Sequence, residues 1–274
     1  RREGRLSDHR RAQYRVFGKL KPEPIFAEGA AKTHFSWHML TGGNAFDVFR
    51  PEKLKEEIIR HPFREAPRMR DNFTRLNFGW LGYWLPGEKT IGTQPDQLEF
   101  ATSQAAAWDC PVSIHADPAK LAQHPRTADN FEVFRRWEEV RARNWLTDEQ
   151  KRMLRDAGQE FILLLDERND FELVPCDRVM NVAGGSREVI AFTFERKEAL
   201  VAVYWHISAD KRLEVPLMPK DLVVLERLGV ELEAAGGERE NTTVVPVGKR
   251  RYLKTSLSKR NELITAFGDA RILD

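Results

Sequence analysis

The hydrophobic period of the chain changes at Gly158, and that change limits what the chain can build. Up to that point, apolar residues at helical spacing alternate with short strand-like runs; beyond it, only short runs remain. Leu6 to Leu20 and Pro51 to Arg60 have the apolar spacing of amphipathic helices, and Pro51 sits at a first-turn position. Gln94 to Trp108 has Pro95 at its start and an alanine-rich body, which favours helix. Thr127 to Trp145 spaces Phe131, Phe134, Trp137, Val140 and Trp145 among charges, and Thr147 to Ala157 opens on a Thr cap followed by two acids. Between these helices fall three expected strands: Pro24 to Ala27, Arg75 to Trp84 running into a loop, and Cys110 to His115.

Strand and helix in alternation predict a parallel sheet with crossover helices. Three strands cannot close a barrel, and an eight-fold barrel needs roughly 250 residues. Residues 1–157 therefore read as the last three to four βα units of a (β/α)8 TIM barrel, with the earlier part supplied by a missing N-terminal barrel half or a partner chain.

After Gly158 come eight short runs: Glu160 to Leu165, Phe171 to Val174, Glu188 to Glu195, Leu200 to Ser208, Leu213 to Leu217, Leu222 to Glu226, Thr242 to Val247 and Arg251 to Lys254. Gly, Asn, Asp and Pro separate them, which is the spacing of an antiparallel β-sandwich. Residues 158–274 are expected to form that domain, closed by a terminal helix from Ser258 to Leu273. The fold class is thus α/β plus all-β.

Composition excludes several classes of function. Lys and Arg number 44 against 42 Asp and Glu, interspersed, so no global field favours nucleic acid or an anionic membrane. The basic run Gly-Lys-Arg-Arg-Tyr at 248–252 reads as a short solvated stretch. Cys110 and Cys176 have no metal-ligand or disulfide-framework spacing. No apolar stretch approaches the length of a membrane span, so a soluble protein is expected. The compartment stays open, periplasmic or secreted if a signal peptide lies upstream.

The residues able to carry chemistry gather near the expected strand ends. Glu28 ends the first strand in Ile-Phe-Ala-Glu-Gly, and a polar loop with His34, Trp37, His38, Asn44 and Asp47 follows it, with Thr-Gly-Gly-Asn read as a turn. Asp96 and Glu99, three apart, share one face at the start of the Gln94 helix, where the macrodipole favours negative charge. Ordinary helix capping accounts for that pair equally well. Glycosidic hydrolysis needs two carboxyl groups across the scissile bond, which makes Glu28, Asp96 and Glu99 the catalytic candidates. Sugar rings stack on aromatic faces, so Trp80, Tyr83 and Trp84 join Asn77, Gln94 and His115 as candidate substrate contacts. His34 and His38 are spaced for zinc on a helix but have no third ligand nearby, and no cofactor or metal is expected.

Four segments carry a resemblance: Ile-Phe-Ala-Glu-Gly, Arg-Leu-Asn-Phe-Gly-Trp-Leu-Gly-Tyr-Trp, Gln-Pro-Asp-Gln-Leu-Glu-Phe and Ala-Ala-Ala-Trp-Asp-Cys-Pro-Val-Ser. Together the chain resembles the late strands of bacterial glycoside-hydrolase-type barrels. Val-Tyr-Trp-His-Ile-Ser and the short strands after it resemble the β-sandwich that closes many such enzymes. The resemblance implies a catalytic barrel acting on carbohydrate, with Glu28 as acid or nucleophile and Asp96 or Glu99 as its partner. Two alternatives stand beside it: a noncatalytic carbohydrate-binding protein, and a metal-dependent hydrolase using His34, His38 and an acid.

Overall fold

The computed structural model describes Lys19 and residues 42–46, 50–60, 75–156 and 158–274, the backbone alone for 42–46 and 75–77. The expected Pro24 to Ala27 strand lies outside the described residues, as does the Leu6 to Leu20 helix apart from Lys19. The chain divides into two compact units, one within residues 1–82 and 108–115, the other within 83–107 and 116–274.

In the first unit, strands β1 (Gly42–Phe46), β2 (Arg75–Gly82) and β3 (Ser113–His115) form a parallel sheet in that order. Helix α1 (Pro51–Arg60) lies between β1 and β2 in the chain. It buries Pro51, Leu54 and Ile58, carries Glu52 in its first turn and Arg60 in its last, and so matches its dipole at both ends. One expectation is corrected here: the Gly-Gly-Asn expected to turn is instead the beginning of β1. Glycine is a poor strand former, but Gly42 and Gly43 are held in register by Arg75 and Leu76 of β2, a pairing no local signal announces.

The second unit is built of helices and two antiparallel sheets. Its helices are α2 (Pro95–Ala107), α3 (Pro118–Gln123), α4 (Thr127–Ala142), α5 (Asp148–Leu154) and α6 (Arg260–Gly268). Thr147 caps α5 through a capping box with Gln150, and Asp117 caps α3 by accepting from Ala119 N. The strands are β4 (Glu160–Leu165), β5 (Phe171–Arg178), β6 (Val189–Arg196), β7 (Ala199–His206), β8 (Lys211–Val215), β9 (Val223–Arg227), β10 (Val230–Leu232), β11 (Ala235–Gly236), β12 (Thr243–Val247), β13 (Arg251–Ser256) and β14 (Arg271–Leu273). Seven of them make one sheet in the order β10-β9-β13-β7-β6-β5-β4, and four make another, β11-β12-β8-β14.

The centre of the larger sheet is buried on both faces, and β7 shows how. Leu200, Ala202 and Tyr204 enter a core shared with Leu213 and Val215 of β8, Val245 and Val247 of β12, and Leu263 and Phe267 of α6. The alternating residues Val201, Val203 and Trp205 enter a second core with Ile162, Leu164, Phe192 and Phe194. Every residue of β7 is therefore buried, which replaces the usual in-and-out alternation of an antiparallel strand by a continuous apolar run.

The terminal helix is shorter than expected. It stops at Gly268, and Arg271 to Leu273 become β14, paired with Glu214 to Arg212 of β8. Strands β10, β11 and β14, with two or three residues each, are too short to leave a pattern.

Candidate functional site

Trp80 and His115 are two expected contact residues whose rings the first unit brings together. They lie near the C-terminal ends of the neighbouring parallel strands β2 and β3, with Gly82 opposite His115 in register. Their rings are nearly parallel, 5° apart in tilt with centroids 6.1 Å apart. Trp80 keeps 38% of its surface open and His115 is exposed, so a large apolar side chain at the strand ends is left partly uncovered. Asn44 and Asn77 are register partners across β1 and β2. Glu28, His34, Trp37, His38 and Asp47 lie outside the described residues.

The remaining candidates belong to the second unit, and its interior holds most of them. Tyr83 is buried; its hydroxyl lies 2.8 Å from Thr127 Oγ1 and accepts from Asn130 Nδ2 at 3.0 Å. Burial raises its pKa, against the lowering effect of those two partners. Trp84 is half-buried, its backbone paired in both directions with Thr93. Gln94 is fully buried and bridges two layers, accepting from Trp205 Nε1 at 3.1 Å and donating to the carbonyls of Ile91 and Ile207.

Helix α2 carries both acids of the expected pair, and all its residues are buried. A helix buried all round must satisfy its polar side chains internally. Thr102 and Ser103 donate back to the carbonyls of Leu98 and Phe100, Gln97 accepts from Gln94 N, and Gln104 donates to the carbonyl of Leu154.

Glu99 meets the same requirement across three elements. Its Oε1 accepts from Trp137 Nε1 of α4 at 2.7 Å and from Leu163 N of β4 at 2.8 Å, while Oε2 lies 3.0 Å from Arg250 Nη2. Burial opposes the charge on Arg250, but Glu99, with Tyr252 and Asp129, outweighs it and raises the guanidinium's pKa. The 248–252 run thus holds a buried cation, contrary to the solvated stretch expected. Arg250 and Trp137 are the residues the sequence reading missed as partners of Glu99, and an acid at an all-buried helical position is the one signal that a buried cation was needed.

Beside Asp96, Glu99 and Arg250 lies a cavity of about 10 Å³, walled also by Phe161, Ile162, Cys176 and Trp205. That is room for about one water molecule and no sugar. Among the described residues no three His, Cys, Asp or Glu side chains group as metal ligands, and no helix is long and apolar enough to cross a membrane.

The class defined by these observations is a mixed protein with a parallel three-stranded sheet in one unit and two antiparallel sheets under helices in the other. No family model matches the sequence, and no curated protein matches it. Among solved structures the chain is similar to a GH27 β-L-arabinopyranosidase from Geobacillus stearothermophilus, at 8% identity and a TM-score of 0.35, over 90% of this chain and 54% of that one. It is also similar to an α-amylase from Geobacillus thermoleovorans complexed with acarbose, at 10% identity and a TM-score of 0.27, over 89% and 56% of the two chains. A third is a glycoside hydrolase family 30 subfamily 8 xylanase from Clostridium acetobutylicum, at 6% identity and a TM-score of 0.24, over 82% and 51%. The chain spans about half the length of each.

Proposed function

We propose that the chain is part of a (β/α)8 barrel glycoside hydrolase joined to an antiparallel β-sandwich, and that it acts on O-glycosidic bonds through carboxylate acid/base catalysis. Three parallel strands supply the barrel segment in this reading, and the core shared by the two antiparallel sheets supports the sandwich. The observation that carries it is the stacked, partly exposed Trp80 and His115 pair at adjacent strand ends. The C-terminal rim of parallel barrel strands is where such folds bind and transform substrate, and an open indole face suits the C–H face of a sugar ring. Glu28 is the carboxylate assigned to proton donation or nucleophilic attack.

A second reading, noncatalytic carbohydrate binding, is favoured by one observation: Glu99 is engaged by a cation and two N–H donors, as a structural acid would be. The two readings part on turnover. In the full-length protein, Trp80→Ala should weaken oligosaccharide binding by about tenfold, equivalent to about 1.4 kcal/mol. Glu28→Gln should abolish hydrolysis of aryl glycosides while leaving that binding intact. Binding without turnover in the parent supports the second reading, and oligosaccharide binding unchanged by Trp80→Ala removes the platform on which both rest.

A further inference from the structure

Two histidines of the second unit are wired so that neither can take a proton without undoing a turn. His206, the last residue of β7, is buried, and its Nδ1 accepts from the backbone N–H of both Ser208 and Ala209, at 3.1 and 3.0 Å. His124, just past α3, is buried as well, and its Nδ1 accepts from Arg126 N at 3.0 Å. An imidazolium has N–H donors at both nitrogens. A proton on either Nδ1 would point at amide hydrogens that already point at it.

Arg126 connects these two turns. Its side chain is 4% exposed, and Nη2 pairs with Asp210 Oδ1 at 3.1 Å while Nη1 lies 3.8 Å from Asp129 Oδ2. Asp129 in turn accepts from Arg250 N, and Gly248 presses so closely on Asp210 that a Cβ there would fall 2.2 Å from Oδ1. His206 N donates to the carbonyl of the same Gly248. The start of α4, the β7–β8 turn and the β12–β13 turn are therefore fastened together around one buried guanidinium.

We propose that this junction is an acid-operated clasp: protonation of His206 and His124 opens the two turns and releases Arg126 from Asp210 while the sheets stay folded. The groups around each ring decide its direction. His124 faces Arg126, the Tyr83 ring at 5.1 Å and the Thr93 backbone; burial first and Arg126 second lower its pKa from 6.5 to about 4, against the raising effect of hydrogen bonds to the backbone of Thr93 and of His124 itself. His206 faces Glu188, Lys211, Arg126 and Asp210; burial first, then the two cations, lower its pKa against the pull of the two acids. With the closed-state pKa below the open-state one, the closed form is fully favoured above the ordinary histidine value. It loses that advantage as pH falls through the interval beneath it.

The test is amide hydrogen exchange followed by NMR on the intact chain between pH 7.5 and 4.5, corrected for intrinsic rates. Protection at Arg126, Ser208 and Ala209 should fall by about tenfold per pH unit below the ordinary histidine value, while Phe192 in the centre of β6 stays protected. His206→Asn, whose side-chain oxygen occupies the place of Nδ1 without titrating, should make Ser208 and Ala209 independent of pH and leave Arg126 as it was. His124→Asn should do the reverse. Protection that persists at all three amides to pH 4.5, or that is lost only in step with Phe192, overturns the proposal. If a variant fails to fold, the ring resonances of the parent decide: a His206 that titrates without moving the Ser208 and Ala209 amide signals also overturns it.

Discussion

Replacing Glu99 by Gln isolates the charge from the shape of the buried acid. The amide oxygen of Gln can still accept from Trp137 Nε1 and Leu163 N, so the two bonds at 2.7 and 2.8 Å survive. What changes is the atom 3.0 Å from Arg250 Nη2, where a carboxylate oxygen becomes an NH₂ facing a guanidinium. Both side chains are at least nine-tenths buried, at 6% and 9% exposure, so solvent does little to soften the loss. Removing one partner of a buried pair costs about 3–5 kcal/mol, and the retained hydrogen bonds place Glu99→Gln near the lower end, about 3 kcal/mol. Arg250→Met alone should cost a similar amount, because it strands the carboxylate. The double variant, which removes both charges, should recover to within about 1 kcal/mol of the parent. Urea unfolding of all four proteins, followed by tryptophan emission, gives the coupling from a double-mutant cycle. A Glu99→Gln variant within about 0.5 kcal/mol of the parent, or effects that simply add, would refute the structural role and return Glu99 to the pool of acids free to react.

The hairpin joining β6 and β7 turns through Lys197 and Glu198, both at positive φ, 48° and 58°. Such two-residue turns are normally built from Asn and Gly, so Glu198→Gly should stabilise the protein by about 0.5–1 kcal/mol and raise the melting temperature in a thermal scan; a lower midpoint would contradict it. Gly229 sits at φ 82° with Glu167 against it, and a Cβ there would fall 2.7 Å from Glu167 Cγ. Because Glu167 holds the buried Arg196 through two contacts, Gly229→Ala should cost about 1–3 kcal/mol in urea unfolding, and a neutral result would show that the ion pair reseats freely.

Much of this architecture could be read from residue order, for identifiable physical reasons. Helices α1 and α4 announce themselves by apolar spacing, and α5 by a Thr cap whose bond to Gln150 N is present. Most strands after Gly158 fall within a residue or two of where their apolar runs begin. Two strands that residue order did not announce share a cause: β1 begins on two glycines, β14 has three residues, and both are strands only because a distant neighbour pairs with them. Helix α3 was missed although Asp117 and Pro118 marked its start. At the candidate site, the spacing of Asp96 and Glu99 was legible, whereas the partners of Glu99 come from α4, β4 and the β12–β13 turn, far apart in sequence. Burial, which decides whether an acid reacts or braces, is set by those distant partners. Spacing alone carries no record of it.

The all-buried β7 has a consequence for the chain before it folds. From Val189 to Trp205 the sequence is nearly continuous apolar, β-branched or aromatic residues, broken by the charged Glu195, Arg196, Lys197 and Glu198. Segments of that kind are the ones that stack between molecules when they are left uncovered. The four consecutive charges at the hairpin are thus placed to keep two such segments from registering with those of another copy, and the strained turn at Lys197 and Glu198 is where solubility during synthesis is guarded. On that view, Glu198→Gly trades a sturdier native state for a weaker gatekeeper, and its yield of soluble protein should fall even as its melting temperature rises.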